Sequence, residues 1–321
     1  MAFKPEQSVI AKIQELISVD VKEAELILSK SALGGEMNEM SQDEWFAHRF
    51  EPNTVFLSDD DYAKMCVDAL KIVPTVAHTD MGASRQRDLA QVWADMTRGY
   101  LGEQAFVNFL SEKHGIRAGL AHERGETTDE FLSLDINQIE KGGVVREPRL
   151  RLGVKTTKWN GIWFDIPYAE FGHSDVHALV KVGVFKDHLM AFLKSLSVMR
   201  DKVLPRGVRV GALTEQQSAD LYEELPTFKK IPSYICGFVN VKEHVGSHTF
   251  SGVLKKKNYT VTEWAGEYNK LFLDSIKRKE SVPGTVRLES IGELSHDKGY
   301  LFNTGNLKWS KSDWEKMIGD L

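Results

Sequence analysis

The stretch 132–167 constrains this chain most, because apolar and polar residues alternate there in short runs broken by turn residues. The run 131–139 alternates, Lys141-Gly142-Gly143 breaks it, 150–157 alternates again, and Asn160-Gly161 turns into 162–166. This pattern predicts three short strands joined by turns, with Asp135 in the first and Lys155 in the second. Antiparallel neighbours of this kind set a carboxylate beside an ammonium. Acids are depleted inside strands, and Asp135 is flanked by Leu134 and Ile136, so it needs a reason to be there. A carboxylate so placed can hold a hard divalent cation, and an adjacent lysine can orient or deprotonate a water for attack on a phosphodiester. The plain alternatives are a surface acid on the polar side of its strand and an exposed lysine paired with an acid.

Helical spacing surrounds this segment. The runs 5–17 and 21–31 carry apolar residues at threes and fours, with Asp20 as the cap of the second. A packing appendage is the plain reading of this pair, and a helix-turn-helix is the sharper one. Ser58 ahead of Asp59-Asp60-Asp61 reads as an N-cap with acids favourable to the helix dipole, rather than as a metal site, and Pro74 is expected to stop that helix. A long helix capped by Ser84 runs to about His114 and carries Glu103. Gly99 and Gly102 interrupt it and predict a kink or a close approach to the sheet. A strand over 175–185, a helix over 186–201, an interrupted excursion at about 204–232 and a strand over 234–241 follow.

Charge is segregated along the chain. The net charge is −5, yet 34–62 holds eight acids against Arg49, while 141–158 holds Lys141, Arg146, Arg149, Arg151, Lys155 and Lys158 against Glu147. A local basic block of this kind is the electrostatic footprint of a nucleic-acid contact, and Thr156 and Thr157 add hydroxyls that suit a phosphate backbone. Lys255, Lys256 and Lys257, close to Tyr259 and Trp264, form a second basic and aromatic cluster. No apolar run is long enough for a membrane span, and the first residues lack a signal-peptide plan, so a cytoplasmic location without membrane contact is expected. Cys66 and Cys236 are too few for a zinc site or a disulfide framework and read as buried small side chains. His173, His177 and His188 lack zinc-helix spacing. There is no phosphate-binding loop and no dinucleotide fingerprint, which argues against a nucleotide cofactor.

The order of a helix with Glu103 (GEQAFVNFL), a strand with Asp135 (LSLDINQI), a strand ending in Lys155 (LGVKTT), then a further strand and helix resembles the PD-(D/E)XK nucleases. Within them the type II restriction endonucleases are the nearest likeness, over roughly 100–196. The resemblance implies an α/β fold with a central mixed sheet flanked by helices. It also implies Mg2+-dependent hydrolysis of double-stranded DNA at a specific site, with Mn2+ as a substitute, by a homodimer matching a palindromic target. Asp135, Lys155 and Glu103 would be catalytic, and Asp135 and Glu103 would hold the metal. The sequence departs from the family at Gly153, where an acid usually stands two positions before the lysine. Asp165 and Glu170 are the candidates for that displaced ligand. The rivals are a structure-specific repair or junction nuclease of the same fold, and a DNA-binding protein with an inactive core, the latter motivated by Gly153. The expected organisation is a helical region over 1–82, a nuclease-like core over 83–245 and a β-containing, basic and aromatic region over 246–321 that is a candidate for DNA recognition.

Overall fold

The computed structural model describes residues 3–76, 88–120, 135–184, 187–244, 248–255, 258–269, 287–288 and 298–321. It opens with α1 (Gln7–Ile17) and α2 (Val21–Leu33), joined where Ser18 takes a left-handed φ of 55° and Asp20 accepts the Glu23 N–H at 2.8 Å. After α3 (Gln42–Trp45), β1 (Thr54–Leu57) leads into α4 (Asp59–Val76). Ser58 caps α4 as the sequence implies: its hydroxyl accepts the Asp61 N–H, and the Asp61 carboxylate accepts the Ser58 N–H. Pro74 lies inside α4 instead of ending it. The long helix α5 (Leu89–His114) is capped by Asp88 and stopped by Gly115 at φ 67°; the expected cap, Ser84, lies outside the described residues.

The remaining strands are β2 (Arg117–Leu120), β3 (Ile136–Lys141), β4 (Val144–Arg146), β5 (Leu152–Thr157), β6 (Trp163–Pro167), β7 (Val176–Val182), β8 (Ile231–Asn240), β9 (His248–Lys255), β10 (Asn258–Asn269), β11 (Arg287–Leu288) and β12 (Lys298–Asn303). Between them lie α6 (Tyr168–Phe171), α7 (His188–Ser195), α8 (Leu204–Arg209), α9 (Glu215–Glu224) and α10 (Val241–His244), and α11 (Lys311–Asp320) closes the chain. The class is mixed α/β.

The central sheet has the order β1-β8-β7-β5, with β5 parallel to β7 and the other pairs antiparallel. Both its faces are covered, which is why β7 is buried at every position instead of alternating. One face packs Ala178, Val180 and Ile235 against Leu101, Ala105 and Phe106 of α5 and Met65 of α4. The other packs Leu179, Tyr234 and Cys236 against Val9, Ile13, Ile27 and Trp45 of the N-terminal helices. Both cysteines are buried and free.

The three-strand hairpin expected over 131–166 does not form. Its Gly142-Gly143 turn is real, with φ of 60° and 80°, but it joins β3 to β4, in a small sheet with β2. β5 instead enters the central sheet beside β7, and β6 joins the sheet of β12, β10, β9 and β11. The alternation identified strands but not their partners, because β5 finds a fully buried parallel neighbour 24 residues on, in the register Leu152↔Val176.

The three expected regions share packing. β1 lies at the edge of the central sheet, β6 pairs with β12, and Trp314 of α11 packs its ring 5.0 Å from that of Phe109 and 4.7 Å from that of Phe238. In the excursion at about 204–232, α9 buries none of its residues.

Candidate active site

β5 is the end strand of the central sheet, and the acids and the lysine singled out above gather around it. Asp135 stands immediately before β3 and reaches the β5 backbone, where its Oδ2 accepts the Val154 N–H at 2.5 Å. Asp135 thus reaches the β5 backbone next to Lys155, whose charge it feels, although β3 and β5 are not paired with each other. Val154 points into the core under α5. By strand alternation, Gly153 and Lys155 face the opposite side.

Lys155 makes an ion pair with Glu170 of α6. Beneath it lies His177 of β7, opposite Gly153 in the register. Burial, with the Lys155 charge nearby, lowers the His177 pKa to about 4, so the ring is neutral. Its Nε2 lies 3.0 Å from the Phe171 carbonyl, and its Nδ1 has no hydrogen-bond partner. A Cβ at Gly153 would come within 2.6 Å of that Nδ1 and 2.8 Å of Ser174 Oγ. The acid that the resemblance places at this position has no room, and Glu170 stands on the same side of β5 instead.

Glu103 approaches from α5. The helix comes close to β5 because residue 102 lacks a side chain: a Cβ at Gly102 would lie 1.8 Å from Thr156 Oγ1, which donates to the Gly99 carbonyl at 3.0 Å. The close approach expected from the two glycines is thus found at Gly102, whereas Gly99 has nothing within 4 Å of an added Cβ. Enclosure by protein, then the negative charge of Glu103, and to a lesser degree that of Glu170, push the Asp135 carboxyl up to about 8 against the opposing pull of the Val154 N–H and Lys155. Tyr100 borders the same acids: burial, Glu103, Asp68 and Asp135 all raise its pKa. In the sequence Tyr100 falls among the apolar positions of the long helix. Its spacing of three from Glu103, one helical face, was the available signal.

The other candidates are dispersed. Asp165 lies on β6, in a different sheet from β5, where its Oδ1 accepts the Tyr268 hydroxyl at 3.0 Å. It is not on a strand adjacent to Lys155. The basic block also divides. Arg146 donates to the Leu321 carbonyl at 2.7 Å, the Arg149 N–H donates to the same oxygen at 2.9 Å, and Arg151 grips Asp175 through its backbone N–H and guanidinium. Lys141 and Lys158 are exposed, while Thr157 packs beneath the turn at Gly161. Lys255 ends β9, and Lys256 and Lys257 lie outside the described residues.

Mg2+ is commonly held by one or two carboxylates together with waters and substrate phosphates. Among the described residues no three His, Cys, Asp or Glu side chains are grouped to hold an ion by themselves. Asp135 and Glu103 fit that smaller demand: both are hard oxygen donors, and their crowding, seen in the raised Asp135 pKa, is what a divalent cation would relieve. No helix of the described residues is long and apolar enough to cross a membrane. No family model matches the chain, and no curated protein or solved structure matches it.

Proposed function

We propose that the chain is a Mg2+-dependent endonuclease that hydrolyses phosphodiester bonds in DNA at the edge of β5. The observation that carries this reading is the gathering of Asp135, Glu103 and the Lys155–Glu170 pair around one stretch of backbone, although these residues come from four separate segments of the chain.

Asp135 is anchored through Oδ2 by the Val154 N–H, which leaves Oδ1 for a metal. Glu103 supplies the second oxygen ligand. A bound cation would neutralise charge at the scissile phosphate and lower the pKa of a coordinated water. Lys155 extends from the same strand, held by Glu170, so its ammonium is positioned to orient the attacking water or to donate to a phosphate oxygen as charge develops there. Glu170 is accordingly a positioning residue in this scheme and not a metal ligand. Thr156 is committed to Gly99, which leaves Lys158 as the nearest exposed cation along the strand for the backbone of the substrate. Double-stranded DNA, site specificity and a homodimer belong to the proposal on the resemblance alone.

The test is incubation of supercoiled plasmid with the full chain in Mg2+ or Mn2+, followed by sequencing of any ends. Metal-dependent nicking or linearisation that Lys155→Ala and Asp135→Asn reduce by at least about 100-fold supports the reading. If the folded wild type never cuts, yet binds duplex in Ca2+ as Lys155→Ala does, the inactive DNA-binding reading replaces it. Discrete fragments favour a restriction enzyme, whereas cleavage confined to junctions or damage favours a repair nuclease.

A further inference from the structure

A cavity opens in the wedge between α4 and α5. It has a volume of about 320 Å3 and is walled by Tyr62, Cys66, Trp93 and Leu189, with Thr97, Arg98 and Lys158 as its polar lining. That volume lies at the small end of the ~300–1,000 Å3 usual for ligand pockets, the size of one nucleotide and not of two.

The walls are held in place. The Trp93 indole N–H donates to the Cys66 carbonyl at 2.8 Å, and the Tyr62 ring packs on Phe192 at 4.8 Å. Two polar groups of the lining are poorly satisfied by the protein. Thr97, only 3 % exposed, has no hydroxyl partner stronger than the weakly bonding Cys66 thiol, and the buried Nε of Arg98 has no hydrogen-bond partner. Buried polar groups without partners are uncommon in folded proteins and suit a ligand or water. Asp95 offsets part of the Arg98 charge through Nη1 at 3.4 Å, while Lys158 stands exposed at the mouth. Aromatic walls, one hydroxyl and two cations describe a site for a flat ring bearing an anionic group. Base stacking on aromatic side chains with a cation for the phosphate is the common physical basis of single-strand recognition.

The cavity is also in line with the proposed chemistry. Thr97 and Glu103 lie six residues apart on α5, about 9 Å along the axis, and Lys155 and Lys158 lie three apart on β5 and its exit, about 10 Å. We propose that this wedge receives one unstacked nucleotide of a nucleic-acid strand, with the base against Trp93, the Thr97 hydroxyl on a base edge, and Arg98 with Lys158 on the phosphate. The link to a scissile bond rests on the endonuclease reading; the nucleotide site itself does not.

Calorimetric titration of the full chain with deoxyadenosine 5′-monophosphate, with EDTA present, separates the two. Saturable binding that survives Lys155→Ala, and that both Thr97→Val and Lys158→Ala weaken about fivefold or more, supports the site. Thr97→Val preserves shape and Lys158 is exposed, so both variants should fold, which circular dichroism verifies. Absence of binding to folded wild type, or equal binding by both variants, overturns it. Binding without cleavage of any DNA in Mg2+ or Mn2+ leaves this site standing and removes the endonuclease reading alone.

Discussion

At the scale of single residues, Gly153 shows how a departure from an expected motif acquires a cause. His177 and Ser174 fill the space that a side chain there would take. Gly153→Asp should therefore overpack the site, lowering stability by about 1–3 kcal/mol in urea denaturation, and on the proposed endonuclease reading it should leave cleavage no faster. Asp135 gives a second expectation. Its folded-state pKa, about 8, lies above the ordinary carboxylate value, so between about pH 4 and pH 8 the folded chain holds a proton that the unfolded chain has released. Stability contributed by the protonated acid is complete below pH 4 and is lost as the pH rises through 8. Thermal melts of the metal-free protein should fall over that window, and Asp135→Asn should flatten the fall. Excess Mg2+ should restore the wild-type melting temperature near pH 8 if the ion binds there, an effect that the same variant removes.

At the scale of elements, the contact of α5 with β5 decides whether Glu103 reaches the site. Gly102→Ala would drive a methyl group into Thr156, so it should push the helix outward, destabilise the fold by about 1–3 kcal/mol and, on the proposed endonuclease reading, slow cleavage as Glu103 retreats. Gly99→Ala meets no atom within 4 Å and should be neutral, or stabilising by up to about 1 kcal/mol through helix propensity. Opposite signs for two glycines three residues apart, read by denaturant titration, would identify Gly102 as the contact; equal effects would reject it. Two helix caps were legible in the sequence. Asp20 and Ser58 act where their chemistry suggests, because capping is settled within four residues, whereas Pro74 does not stop α4.

At the scale of the whole molecule, a buried charged network fastens the N-terminal segment to the sheet. Glu36 accepts from Lys181 of β7 at 2.8 Å, from the Tyr234 hydroxyl of β8 at 2.9 Å and from the Trp45 indole at 3.1 Å, while Arg49 donates to the carbonyls of Thr304 and Cys236. Burial alone would raise the Glu36 pKa; the charges of Lys181 and Arg49 and the hydrogen bonds outweigh it and hold the group at about 2. The carboxylate thus adds stability that is present above about pH 4.5 and is lost as the pH falls towards 2. Glu36→Ala leaves Lys181 buried without its partner and should cost about 3–5 kcal/mol, whereas a joint replacement of Glu36 and Lys181 by apolar residues should cost far less. Chemical denaturation of the single and joint variants measures the difference.

The sequence by itself determined what depends on near neighbours: helix caps, turn glycines, the presence of short strands, and which acid and which lysine stand out of place near them. It did not determine that β5 pairs with β7, that β6 leaves for another sheet, that Asp165 is drawn away to Tyr268, or that Glu170 pairs with Lys155 while His177 and Ser174 fill the space over Gly153. Those outcomes follow from the burial of both faces of the central sheet. Partner choice there is a competition among distant apolar surfaces, and the alternation of a strand records only that one face is apolar, not what will cover it.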